Sequence, residues 1–257
     1  MQKQCKTPQR VACLLNQFPV DEKTQEENSW NPNDKSLNFI IEPDDPFTIH
    51  RRPVQLSTDC VRGRRGYTSG IHAFEVTWDT GKRGTHAVIG VAKISAPIHA
   101  PGYSCVVGST ADSWGWNITK NRLFHNNNDG GDYPFKYKPA VDGKDDVKDN
   151  FTVPKVFKMV LDMDEGTLAF VVENQYLGVA FYELKGKTLY PIVNVVYGHA
   201  KVTCKYLGNI APGPPLLQQL CRLTIREQIS CEQMGHEKLI KNVRSFCLPL
   251  IIQNFLL

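Results

Sequence analysis

The feature that most restricts how this chain folds is a series of short apolar runs that alternate every second residue and end in turn residues. In "HAFEVTW" (72–78), Phe74, Val76 and Trp78 alternate with Ala73, Glu75 and Thr77. That is the signature of a half-buried strand, whereas a helix repeats its apolar positions about every 3.6 residues. "TLAFVVE" alternates in the same way through Leu168, Phe170 and Val172. "HAVIGVA" (86–92) is continuously apolar, as a central strand covered on both faces would be. "LYPIVNVV" and "KVTCKYL" complete the series, and His86 and His199 read as packed histidines within such strands. "MDEG" (163–166) and "ENQY" (173–176) suit hairpin turns. The aperiodic, Gly- and Asp-rich segment 126–150 reads as one long surface loop. Many short strands separated by turns predict an all-β antiparallel sandwich.

The 257 residues have room for one large β domain and a small appendage. With 41% hydrophobic and 22% charged residues, the composition is that of a soluble globular chain. A net charge of +4, densest at Arg62, Arg64 and Arg65, makes no basic stripe, so nucleic acid is not an expected partner. Nor is a membrane, since no stretch approaches the roughly 20 apolar residues of a span. The eight cysteines form no C-x-x-C pair and no zinc-spaced cluster. Reduced thiols in the cytoplasm or nucleus follow, with no metal expected. The polar start "MQKQCKTPQR" has no apolar signal core.

No nucleotide-binding glycine motif and no nucleophile elbow is present, so neither cofactor nor catalytic residues are expected. The only tight acid cluster, Asp162, Asp164 and Glu165, sits at a hairpin turn and reads as solvated.

After Tyr206 the pattern changes. "APGPP" can neither continue a strand nor lie inside a helix. Beyond it, Leu217, Cys221 and Ile225 recur at i, i+4 and i+8 with Leu220 beside them, a narrow apolar stripe on a helix. "EKLIKNVR" offers a second short helix before "LPLIIQNFLL". The divisions read here are an N-terminal extension (1–15), the sandwich (16–209) and a helical tail (210–257). Periodicity alone leaves open whether the tail helix packs back on its own sandwich or completes its core against another protein.

Several stretches, in order, resemble the SPRY-domain proteins that carry a SOCS box. They include "WNPNDKSLNF" (30–39), "RRPVQLSTDCVRGRRGYTSGIHAFEV" (51–76), "RGTHAVIGVA" (83–92) and "GSTADSWGW" (108–116). "VLDMDEGTLAFVVENQYLGVAF" (160–181), "KGKTLYPIV" (185–193) and "LLQQLCRLTIR" (216–226) continue the match. The resemblance runs from about Pro8 to the chain's end and implies a bent β-sandwich with a SOCS box.

For the tail it implies a BC box, a helix docking on elongin C through Leu217, Cys221 and Ile225 beside Leu220. The implied partners are elongin B, elongin C and a cullin–RING scaffold. Leu248, Pro249 and Leu250 match the start of the family's cullin segment. Ile251 replaces its second proline, and Phe255 comes about two residues early.

For the sandwich the resemblance implies a cleft that grips an acidic–aliphatic–Asn–Asn–Asn peptide on a substrate protein. The matching positions are Arg51, Pro53 and Gln55 in "RRPVQ", Gly84 and Thr85 in "RGTH", and Tyr103 in "PGYS". Val196, Tyr197 and Gly198 in "VVYGH" complete them. Arg51 is expected to donate to the ligand's carbonyls or carboxylate. Gln55 and Tyr197 stand where the family commonly has Ala and Trp, which changes contact area and donor geometry. "HNNN" (125–128) mimics the ligand but lacks the preceding acid and aliphatic residue, so it reads as a polar loop. The implied function is a non-catalytic substrate adaptor of a ubiquitin ligase. The alternative is a protein-binding scaffold or lectin-like module without ligase coupling.

Overall fold

The computed structural model describes residues 5–17, 19–42, 44–134 and 151–213, together with 217, 220, 221, 224, 225, 243 and 245. Two short helices, α1 (Gln9–Leu15) and α2 (Glu22–Glu27), precede the strands. These begin with β1 (Trp30–Lys35), β2 (Phe39–Glu42), β3 (Asp45–Arg51), β4 (Ser57–Gly63) and β5 (Ile71–Trp78). Next come β6 (Val88–Ala92), β7 (His99–Pro101), β8 (Ser113–Asn117), β9 (Arg122–His125) and β10 (Asn128–Asp132). The last are β11 (Val156–Asp162), β12 (Thr167–Val172), β13 (Gln175–Phe181), β14 (Tyr190–Val195) and β15 (Lys201–Ile210).

The strands build two antiparallel sheets. One has the order β1-β4-β14-β6-β8-β9-β10, with β7 also paired to β4; the other runs β13-β12-β11-β5-β15-β3-β2. The inner faces meet in a core of large side chains, among them Trp30, Phe74, Trp78, Trp116 and Phe170. Phe74, Val76 and Trp78 point into it, as their alternation requires.

The outer faces are covered as well. Helix α1 lays Val11, Cys13 and Leu14 on Ile71, Ala73, Val160 and Val171 of the second sheet. The chain between β6 and β8 brings Ala96, Val106 and Val107 onto Val88, Ala92 and Ile192 of the first. This second cover explains why β6 is apolar at every position. β5, read as half-buried, is covered on both faces over its first half.

Three other readings change. The segment 126–150 is not all loop. Asn126 and Asn127, with φ of 51° and 57°, form a two-residue hairpin turn, so "HNNN" is a tight turn that returns the chain as β10. Tyr133 then enters the core, its hydroxyl donating to the Gly178 carbonyl at 2.8 Å; residues 135–150 lie outside the described set. His86 and His199 sit in loops, not strands, and His199 has φ 61°.

Two of the acids at 162–165, Asp162 and Asp164, are partnered instead of solvated, while Glu165 stays exposed. Asp162 accepts the Asp164 and Glu165 N–H groups, both at 3.0 Å. Arg10 of α1 pairs with Asp164 at 2.6 Å and Asp162 at 3.6 Å. Burial pushes the Asp162 carboxyl up. Burial acts the same way on Asp164, but Arg10 and the Gly70 N–H outweigh it and hold that carboxyl below its ordinary value. The acids thus fasten the N-terminal helix to a turn.

Candidate functional site

Four loops of the sandwich touch one another: 52–56 between β3 and β4, 83–87 before β6, 102–104 after β7 and 196–200 between β14 and β15. Their contacts are close. A Cβ on Gly198 would lie 3.0 Å from the Pro53 Cα, and one on Gly84 would lie 3.1 Å from Val196 and 3.4 Å from Tyr197. The Gly102 N–H donates to the Leu56 carbonyl at 2.8 Å. Pro53, Gln55, Gly84, Thr85, Tyr103, Val196, Tyr197 and Gly198 therefore lie on one continuous group of loops.

Two buried polar residues hold these loops, and neither belongs to the set expected from sequence. The side chain of Asn194, on β14, accepts the Val106 N–H at 2.8 Å. It donates to the His86 carbonyl at 2.7 Å and the Ser104 carbonyl at 3.4 Å, so one amide staples two of the loops. Asp59, on β4, pairs with Arg51 Nε at 2.8 Å. It also accepts from Ser57 Oγ, Asn38 Nδ2 and Ser36 Oγ. The available signal was a lone Asn in the apolar run "PIVNVV" and a lone Asp in "STDCV". A polar residue fully buried inside a strand must bond to something.

Arg51 differs from its sequence-level role. It is 0% exposed. Besides Asp59, its guanidinium donates to the Ser57 carbonyl at 2.7 Å, Val54 at 2.9 Å and Arg52 at 3.3 Å. Its donors are spent shaping the 52–56 loop from beneath, which places them out of a ligand's reach. Val196 is buried too. The outward-facing groups are Arg52, Pro53, Val54, Gln55, Leu56, Thr85, Tyr103, Tyr197 and His199. Tyr103 is 49% exposed. Leu56 holds φ 48°, a left-handed conformation uncommon for leucine, with its carbonyl tied to Gly102 and its side chain turned out.

The surface therefore offers two aromatic rings with hydroxyls, an amide, small aliphatic groups and glycine-thinned backbone. That combination suits an extended peptide with amide side chains, which needs many donors and acceptors within short reach. Covalent chemistry has less support here. Burial pushes the Cys105 thiol up and makes it a poor nucleophile. Burial and the nearby Lys120 hold His86 below its ordinary value, so it stays neutral at pH 7.

In the tail, Leu217, Leu220, Cys221, Thr224 and Ile225 have helical backbone. Leu220 packs against the cluster beneath α1. Leu217, Cys221 and Ile225 face outward, Leu217 with 76% of its surface exposed. Val243 is buried. Leu248, Pro249 and Leu250 lie outside the described residues.

The SPRY domain family model matches residues 71–207, and the SOCS box model matches residues 213–257. Protein gustavus of Drosophila melanogaster is 44% identical over 250 residues, covering 97% of this chain and 86% of that protein. Human SPRY domain-containing SOCS box protein 1 is 44% identical, with 98% and 88% covered. Human SPRY domain-containing SOCS box protein 2 is 38% identical, with 97% and 90% covered.

The chain belongs to the SPRY domain-containing SOCS box protein family.

Membership gives the two exposed surfaces a context. A SPRY sandwich joined to a SOCS box is the architecture of a substrate adaptor for a cullin–RING ubiquitin ligase. In this SPRY–SOCS box chain the sandwich carries the loop group, and the tail carries the outward Leu217–Cys221–Ile225 stripe.

Proposed function

We propose that this chain captures a short acidic–aliphatic–Asn–Asn–Asn segment of a substrate protein on the loops around Pro53, Tyr103 and Tyr197. The tail stripe then docks on elongin C, bringing elongin B and a cullin–RING scaffold to that substrate. Transfer of ubiquitin belongs to the other subunits.

The observation that carries this reading is the division of the tail helix. Leu220 anchors the helix inward while Leu217, Cys221 and Ile225 remain outside. A helix whose stripe served only its own sandwich would bury that stripe. An exposed apolar stripe on a seated helix is suited to a partner.

The test is coexpression of the full chain with elongins B and C, followed by calorimetry of the purified complex with an Asp-Ile-Asn-Asn-Asn peptide. Copurification of both elongins and saturable peptide binding are expected. Peptide binding without elongins would favour a scaffold uncoupled from a ligase, and saturable glycan binding in place of peptide would favour a lectin-like module.

A further inference from the structure

The outer face of the second sheet carries a cavity of about 240 Å³, none of whose walls belongs to the loop group or the outward tail stripe. Val11 of α1 walls it from above, and Val160, Ala169 and Val179 of β11, β12 and β13 form its floor. The floor follows from register. Val160 lies opposite Ala169, and Val179 faces Ala169 from β13, an edge strand. Sites for drug-sized ligands span about 300–1,000 Å³, so this one has room for a smaller molecule.

The same cavity is lined by Asp162, Glu165 and Tyr176, and their polar groups are incompletely matched. Tyr176 is 6% exposed, yet its hydroxyl bonds to no other described residue. A buried tyrosine hydroxyl ordinarily finds a partner. Burial is the main cause that pushes this hydroxyl up to about 12, so it stays protonated at pH 7. Asp162 is buried too. Arg10 stands 2.6 Å from Asp164 but 3.6 Å from Asp162, so that cation is engaged mainly with the acid outside the cavity wall. Lys185 also acts on Asp164. Two cations therefore face three carboxylates at this turn, which leaves it negative on the cavity side.

The geometry points to a binding site for a small amphipathic cation: a primary ammonium held by the Asp162 carboxylate and the Tyr176 hydroxyl, on an apolar body no larger than one ring that packs against Val11, Val160, Ala169 and Val179. An ammonium brings three donors and no acceptor, which suits a carboxylate beside a hydroxyl oxygen. The apolar body takes valine and alanine surface out of water. An anion would meet like charge, and a neutral molecule would leave the Asp162 charge as it is. Val11, Val160, Ala169 and Tyr176 belong to the cluster against which Leu220 of the tail packs. A bound cation would thus brace α1, and with it the seat of the tail, against the sheet.

The probe is benzylamine, with benzyl alcohol as its neutral counterpart and benzoate as its anionic one, each titrated into the full chain by calorimetry beside a thermal scan. Benzylamine should bind saturably at one site, about tenfold more tightly than benzyl alcohol, as a hydrogen bond to a charged group allows. It should raise the thermal midpoint as it saturates, and benzoate should not bind. Asp162→Asn keeps the oxygen that accepts the Asp164 and Glu165 N–H groups. It should erase the preference for the amine while leaving the affinity for the alcohol. Val179→Trp changes a partly exposed side chain on an edge strand. It should fill the cavity and abolish binding of both probes with little change in midpoint. Benzylamine binding no tighter than benzyl alcohol, binding that survives Val179→Trp, or saturable binding of neither probe overturns the site.

Discussion

Arg51 and Tyr103 show how differently two residues of one candidate set behave. Arg51 is beneath the loops and Tyr103 is on top of them. Replacing Arg51 with Ala leaves the Asp59 carboxylate buried without its cation. Breaking a buried pair from one side costs about 3 kcal/mol or more, although Ser36, Asn38 and Ser57 still donate to that carboxylate. Arg51→Ala should therefore lower the thermal midpoint by several degrees and lose the peptide together with loop order. Tyr103→Ala should leave the midpoint unchanged and weaken the peptide at least tenfold, about 1.4 kcal/mol. A thermal scan beside a calorimetric titration separates them; a wild-type midpoint for Arg51→Ala would remove its structural role. Gly198 allows a third check. An added Cβ meets the Pro53 backbone at 3.0 Å, so Gly198→Ala should displace the 52–56 loop and weaken peptide binding several-fold with a small change in midpoint. Pro53, Gln55, Thr85, Tyr103 and Tyr197 were singled out from sequence because they match a family pattern. Arg51's burial and the part played by Asn194 were not, because a charged or amide side chain looks the same in sequence whether it faces a ligand or a buried partner.

At the scale of elements, alternation revealed the strands whose side chains do the packing. β5, β12 and β15 were readable because one face of each must enter the core. β10 was hidden because its sequence, "NDGGD", contributes backbone pairing with β9 and almost no apolar surface. Helix α1 was hidden for another reason: seven residues span about two turns, too few for a period to emerge. Because α1 was not read, its cover over Ile71 and Ala73 was missed and β5 looked half-solvated. The tail helix tests the same logic, since its residues divide between an inner seat and an outer stripe. Leu217→Asp should abolish copurification of elongins B and C while leaving peptide affinity and thermal midpoint unchanged, because an exposed leucine tolerates charge until a partner desolvates it. Leu220→Asp should instead lower the midpoint, because it puts a charge against the apolar cluster beneath α1. If Leu217→Asp still copurifies both elongins, the stripe is not their docking element.

At the scale of the molecule, the proposed reading needs two surfaces available at once: loops for a substrate and a tail for the ligase. The sandwich gives the loops to the ends of β3, β7 and β14, while Leu220 of the tail is seated with α1 against the outer face of the second sheet. Ligase coupling then depends on the last residues, which lie outside the described set and are argued from sequence. There Leu248, Pro249 and Leu250 are followed by Ile251, with Phe255 close behind. A proline at position 251 would fix φ near −65° and preorganise an extended segment; isoleucine leaves that cost to be met on binding. A shorter interval before the aromatic also turns it toward another face. Elongin binding, proposed for Leu217, Cys221 and Ile225, should be unaffected, whereas the cullin should bind more weakly than it binds a typical family member. Ile251→Pro combined with two residues inserted before Phe255 should therefore raise affinity for the cullin's N-terminal domain several-fold. Titrating elongin-bound wild type and repaired protein side by side decides it: equal affinities would mean that the cullin does not read this segment through proline-fixed backbone and aromatic spacing.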